Sequence, residues 1–191
     1  MHIGLFFGSF NPIHVGHLII AEAALNHTDI DRLWLMVSPQ NPFKQKANLL
    51  SEYNRLRMAE LGIGDNIRMQ ASNIEFHLPK PSYTIDTLTY LREKYPNYTF
   101  SLIMGQDNLQ HFHKWKNYEA ILNHYHLHVY PRGHNSPPTQ FDDHPNVSMF
   151  NAPLLDISAT YIRETIRSDK SIRYLVPDAV LEYMEEIRAY E

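Results

Sequence analysis

The order of apolar runs predicts an α/β protein, a mainly parallel sheet covered by helices on both faces, three layers deep. Three observations carry this. Short strands alternate with helical segments of about 10 to 15 residues, the pattern of βαβ units. The strands are apolar at nearly every position, as expected when neither sheet face is wet. Polar junctions at 8–17, 38–46 and 105–115 each follow a strand directly, so they should converge on the carboxyl rim, where such sheets take ligands.

The elements follow in order. "IGLFF", residues 3–7, is the first strand, and a core-packed helix runs from about Gly16 through "HLIIAEAALN". "RLWLMVS", 32–38, is the second strand, followed by the loop "PQNPFKQK" with its two prolines and two lysines. "SEYNRLRMAELGIG" reads as a helix with Ser51 as N-cap and Gly62 as stop. A strand near "IRMQAS" leads to a proline-marked loop and then a helix in "SYTIDTLTYLREKYP", ended by Pro96. "YTFSLIMG" is a strand that enters "QDNLQHFHKW", with a short helix around "NYEAILN". "LHVYPR" and "VSMF" are further strands, separated by "GHNSPPTQFDDHPN", which is expected to be exposed and mobile. "ISATYIRETIR" and a last helix opened by Pro177 complete the chain. With no repeat and no dividing linker, residues 1–191 read as one domain, with helices at 158–189 packed on its core.

Composition limits the function. The net charge is −4, which argues against a general nucleic-acid surface, because backbone phosphates demand a basic footprint. No apolar run has the length of a membrane span, and the N-terminus lacks a signal-peptide layout. The absence of cysteine removes disulfides and thiolate metal sites and fits a reducing, cytoplasmic setting.

The most informative stretch is "GSFNPIHVGH", residues 8–17. It places His14 and His17 across a turn where a strand gives way to a helix. A helix N-terminus offers free N–H groups and partial positive charge to an anion. Imidazoles beside it donate to phosphoryl oxygens, and glycines at 8 and 16 let backbone and ligand approach. From these residues alone, phosphate binding is favoured, while a turn without function and metal ligation remain open.

The stretch resembles the His-x-Gly-His signature of the nucleotidyltransferase superfamily. "SPQNPFK", "PSYTIDTL", "GQDNLQHFHKW", "YPRG", "ISATYIR" and "YLVPDAVLEYM" follow in the order found in bacterial nicotinate-nucleotide adenylyltransferases. The resemblance implies a Rossmann-like fold of nucleotidyltransferase type. It also implies a reaction in which ATP and nicotinate mononucleotide, with Mg²⁺, give deamido-NAD and pyrophosphate. The acceptor brings an anionic phosphate as nucleophile, so the protein has to hold, align and stabilise charge rather than supply a base.

The same resemblance implies the site. His14, His17, Lys44 and Arg163 act on the phosphates. Gly8, Ser9, Phe10, Gly16, Gly105, Asp107, Ile157 and Ser158 join His14, His17 and Arg163 around ATP. Ser9, Lys44, Tyr83, Thr84, Trp115, Lys116 and Arg132 surround the mononucleotide, with Trp115 stacked on the pyridine ring. Asp107 is placed near the ribose or the Mg²⁺, and no protein metal ligand is otherwise implied. The sequence departs from the family at Phe7 (often glycine), Asn11 (often aspartate) and Lys116 (often aromatic). The sets His111/His113 and His124/His126/His128 are read as surface or strand-face residues rather than metal ligands. Rival readings are another phosphate acceptor, such as nicotinamide mononucleotide or phosphopantetheine, and a non-catalytic nucleotide sensor. A homo-oligomer is compatible with the sequence, which leaves the oligomeric state open.

Overall fold

The computed structural model describes residues 1–39, 49–131 and 137–190. Among these, six strands form one parallel sheet in the order β3-β2-β1-β4-β5-β6. They are β1 (His2–Gly8), β2 (Arg32–Val37), β3 (Met69–Ser72), β4 (Thr99–Gly105), β5 (His126–Tyr130) and β6 (Val147–Met149). The chain winds outward from β1 to β3, returns to lie beside β1 as β4, then winds outward the other way. The topological switch between β1 and β4 opens a crevice at their carboxyl ends.

Alternation along each strand sorts side chains into two cores. Phe6, Leu33, Leu35, Val37 and Ile103 enter one; Ile3, Leu5, Trp34, Met36 and Leu102 enter the other. The first core is closed by α1 (Val15–His27), α2 (Glu52–Ile63), α6 (Ala159–Arg167) and α7 (Asp178–Glu186). The second is closed by α3 (Thr84–Lys94), α4 (Gln106–Gln110) and α5 (Tyr118–His124). This is the expected three-layer α/β/α arrangement. Ile162, Val180 and Met184 are buried with Ala21 and Ala24, so α6 and α7 share a core with α1.

Local chemistry sets several boundaries. Ser51 caps α2 by accepting from the Asn54 N–H at 3.1 Å. The helix stops at Gly64 rather than Gly62. Gly64 takes the positive φ of 61° and its N–H reaches Glu60 O at 3.2 Å. Gly62 lies inside the helix, where a Cβ would come within 3.3 Å of Ile13, so close packing accounts for it. The strand near "IRMQAS" begins only at Met69, because Ile67 is turned out to solvent. A helical turn at Ile74–His77 was not marked by the sequence pattern. In the loop before β6, Phe141 is buried edge-on to Phe112, which pins its second half. Among the described residues no helix is long and apolar enough to cross a membrane.

Candidate active site

Two cavities open at the carboxyl ends of the strands and share Phe6 as a wall. The first, of about 360 Å³, is lined by Gly8, Ser9, Glu75, Tyr83, Thr84 and Trp115 with their neighbours. The second, of about 470 Å³, is lined by His14, Gly16, His17, Tyr130, Ile157 and Ser158 with theirs.

The second cavity is built on the start of α1. His14 is its N-cap, with extended backbone (φ −144°, ψ 168°). The His14 N–H donates to His17 Nδ1 at 3.3 Å, and the two rings stack with centroids 3.7 Å apart. A neutral imidazole that accepts at Nδ1 carries its proton on Nε2, so His17 presents an N–H donor. Gly16 leaves room for the imidazole: a Cβ there would stand 3.0 Å from His14 Nδ1 and press on the ring. A second helix begins at the same cavity, where Ser158 caps α6 by accepting from the Tyr161 N–H at 3.2 Å. Two helix N-termini and an imidazole donor at one cavity favour a polyanion.

The loop ahead of α1 is tied down from a distance. Arg163 Nη1 donates to the Asn11 carbonyl at 2.7 Å, and its Nη2 to Thr160 Oγ1 at 3.1 Å. Asn11 Oδ1 accepts from the Leu50 N–H at 3.2 Å and from the Tyr190 hydroxyl at 2.7 Å. Burial pushes the Tyr190 phenol well above its ordinary pKa, so it keeps the proton it donates. The Val15 N–H reaches Leu175 O at 3.0 Å.

The first cavity sits at the N-terminus of α3, which Tyr83 caps and Thr84 opens. Trp115 packs against Phe112 with ring centroids 5.3 Å apart and leaves part of its surface to the cavity. Lys116 bridges both oxygens of Asp86 at 3.1 and 3.0 Å and rests 4.7 Å from the centre of the Tyr83 ring. Its charge is therefore shared with Asp86 and the ring. Glu75 is buried in the wall. Desolvation raises its carboxyl pKa, against hydrogen bonds from Thr87 (2.8 Å) and Ser38. Burial there works against the charged form of this carboxyl.

Beneath both rim loops lies Arg55 of α2, fully buried. Its guanidinium donates to four carbonyls: Leu50 (3.0 Å), Ser9 (2.6 Å), Ser38 (2.8 Å) and Pro39 (3.3 Å). Burial lowers its pKa, yet an arginine stays charged in proteins, and these carbonyls serve that charge. It fixes the backbone of two loops that line the first cavity.

The structure thus divides the sequence-derived residues. Ser9, Tyr83, Thr84, Trp115 and Lys116 line the first cavity, and Gly8 joins them there. His14, Gly16, His17, Ile157 and Ser158 line the second. Phe10, Gly105, Asp107 and Arg163 line neither. Phe10 is buried beneath the loop, its ring edge-on to His17 at 5.1 Å. Asp107 opens α4 beside Gly105, where a Cβ would meet its carboxylate and the Tyr130 hydroxyl. Lys44 and Arg132 lie outside the described residues. Arg55, Glu75, Tyr130 and Asp156 complete the walls and supports, and no local pattern marks them. A Mg²⁺ ion takes oxygen ligands, commonly one or two carboxylates with substrate phosphates. Asp156, in the wall of the second cavity, fits that demand, whereas Asp107 lines neither cavity.

The strand order, the cavities at its switch point and the paired helix starts place the chain among nucleotide-handling α/β proteins. Residues 5–165 match the model of the family described as cytidylyltransferase-like. A "probable nicotinate-nucleotide adenylyltransferase" of Cytophaga hutchinsonii is 55% identical over 100% of this chain and 98% of its own. One of Flavobacterium psychrophilum is 47% identical, covering 100% of both chains. The protein belongs to the cytidylyltransferase-like family, within it to the nicotinate-nucleotide adenylyltransferases. Its fold is shared with the Plasmodium falciparum nicotinic acid mononucleotide adenylyltransferase complexed with NaAD. That match has a TM-score of 0.81 at 21% identity and covers 99% of this chain and 97% of that one.

Proposed function

We propose that this protein joins ATP and nicotinate mononucleotide to give deamido-NAD and pyrophosphate, a step of NAD biosynthesis in the cytoplasm. One observation carries the reading: two cavities of different character meet at Phe6, with the His14–His17 junction between strand and helix beside that wall. In this reading the second cavity takes ATP and the first takes the mononucleotide.

A phosphate oxygen of the mononucleotide attacks the α-phosphorus of ATP. A new P–O–P bridge forms, the α–β bridge breaks, and pyrophosphate leaves with the bond's electrons. The nucleophile is already an anion, so no proton has to be removed. The N–H of His17 Nε2 and the N-termini of α1 and α6 stabilise the charge that builds on the phosphoryl oxygens. His14 holds the tautomer of His17 by donating its N–H to Nδ1. Arg163 sets the loop through the Asn11 carbonyl. Lys44 is assigned to the phosphates, and Arg132 to the mononucleotide, by their place in the family's motifs. Bound Mg²⁺ neutralises phosphate charge and orients the leaving group.

On the acceptor side, Trp115 and Tyr83 offer ring faces to the pyridine. The nicotinate carboxylate is received by the N–H groups at the start of α3. Such donors leave a carboxamide NH₂ poorly paired, which makes the acid the preferred acceptor.

The test follows pyrophosphate release and product mass with ATP, Mg²⁺ and one acceptor at a time. Nicotinate mononucleotide should support turnover with a kcat/KM at least ten times that of its amide, and phosphopantetheine should support none. Turnover favouring the amide would overturn the acceptor assignment; binding of ATP with no turnover on any acceptor would make the protein a sensor.

A further inference from the structure

Three side chains that line neither cavity come together on the sheet face covered by α1. His2 opens β1, Asp29 lies in the turn between α1 and β2, and His128 stands midway along β5. His2 Nδ1 is 3.4 Å from Asp29 Oδ2, and His128 Nε2 is 3.4 Å from Asp29 Oδ1. The three donor atoms all fall within 4.8 Å of one another.

These separations are long for hydrogen bonds between a carboxylate and an imidazolium, which run at about 2.7–2.9 Å. They match the spacing of two ligands on one tetrahedral ion, about 3.3 Å for bonds of about 2.0–2.1 Å. His128 Nε2 is buried and makes no hydrogen bond with any described residue. Burial, and the His126 ring beside it, hold the His128 pKa down to about 4.

The next layer is in place as well. Ser148 Oγ lies 3.3 Å from His128 Nδ1 and 2.8 Å from His126 Nε2. With His128 Nδ1–H donating to Ser148, and Ser148 O–H donating to His126, every proton of this chain is used. His128 Nε2 then turns a lone pair toward the Asp29 carboxylate, an opposition that a cation between them relieves. The His2 backbone N–H donates to Asp31 Oδ2 at 2.7 Å, which steadies the other histidine.

We propose that His2 Nδ1, His128 Nε2 and an Asp29 oxygen form a site for a divalent transition metal of the zinc class. Two nitrogens and one oxygen suit Zn²⁺, Co²⁺ or Ni²⁺ and not Mg²⁺, so the site is separate from the ion that accompanies ATP. It joins the start of β1, the α1–β2 turn and the middle of β5. Its role is structural, and it stands independently of which acceptor the enzyme uses.

The protein, stripped with a chelator, is titrated with Zn²⁺ against a chromophoric zinc indicator, and separately with Co²⁺ while its visible absorption is followed. The wild type should take up one Zn²⁺ per chain, show the intense Co²⁺ bands of a tetrahedral site, and melt at a higher temperature with Zn²⁺. Asp29→Ala changes an exposed side chain and should fold. It should weaken uptake at least tenfold, lose the Co²⁺ bands and the thermal shift, and leave adenylyl transfer with Mg²⁺ intact. His2→Gln should behave alike. Absence of stoichiometric uptake by the wild type overturns the site. So does uptake that survives both substitutions, or uptake lost in His17→Ala instead, which would place the ion at the phosphate loop.

Discussion

The two cavities that meet at Phe6 are made by different means. The second cavity is made within one short stretch and one further helix start: two helix N-termini, a closely packed glycine, and two stacked imidazoles within one turn. The first cavity draws on polar side chains from separate elements, with Arg55 holding the backbone of Ser9 and Ser38, and Glu75 in its wall bonded to Thr87 behind it. Charge stabilisation on transferring phosphoryl groups needs many weak donors at fixed positions, which a helix start provides. Recognition of one pyridine ring needs a shaped wall, and distant side chains provide that.

Substitutions can separate the two designs. The largest effect belongs to His17→Ala, which should lower kcat about 10²–10³-fold while the acceptor KM moves little. Pyrophosphate release at saturating ATP measures it, and an unchanged kcat would remove His17 from the chemistry. Next comes Arg55→Met. It leaves several carbonyls without their donor and should cost about 3 kcal/mol in urea unfolding. Because Ser9 and Ser38 carry those carbonyls, the acceptor KM should rise more than that of ATP. A loss of stability with no change in KM would make Arg55 purely a fold residue.

Gly16→Ala should lower kcat about 10–100-fold with the melting temperature nearly kept, since the new Cβ pushes on His14 and through it on His17. The smallest effect is expected at Glu75. Its folded pKa is raised, so the stability it contributes is full below the unfolded pKa of about 4.3 and is lost as pH rises through the folded value. Glu75→Gln carries no such dependence. Its melting temperature relative to the wild type should be lowest near pH 4 and climb toward neutral pH. Parallel melting curves across that range would show that Glu75 ionises without penalty.

The same contrast explains what the sequence disclosed. The parallel sheet was legible because Leu33, Leu35 and Val37 alternate with Trp34 and Met36, all apolar, which only a doubly covered strand requires. That His14, Gly16 and His17 share one cavity was legible because they are neighbours in the chain, and their spacing is itself the geometry. Arg55 and Glu75 were not. An arginine on a helix reads as a solvated cation until the fold sets four carbonyls around it. His128 reads as a strand-face residue, and its partners lie far away at His2 and Asp29. The helix end at Gly64 was missed for a local reason: both glycines suit a stop, and only the backbone shows which carries the positive φ.

The phosphate loop stands near the start of the chain, yet much of what holds it comes late. Asn11 is gripped by Arg163 and Tyr190, and Val15 by Leu175. On a ribosome, the signature stretch therefore gains its contacts with Leu50 and Arg55 early, but the full set of restraints only once residue 190 has been added. A nascent chain halted anywhere before Arg163 would hold His14 and His17 in sequence but lack all three of the late restraints. Nucleotide binding should appear abruptly along a series of lengthening chains, once residues 163–190 are included, and not in proportion to the length of sheet already formed.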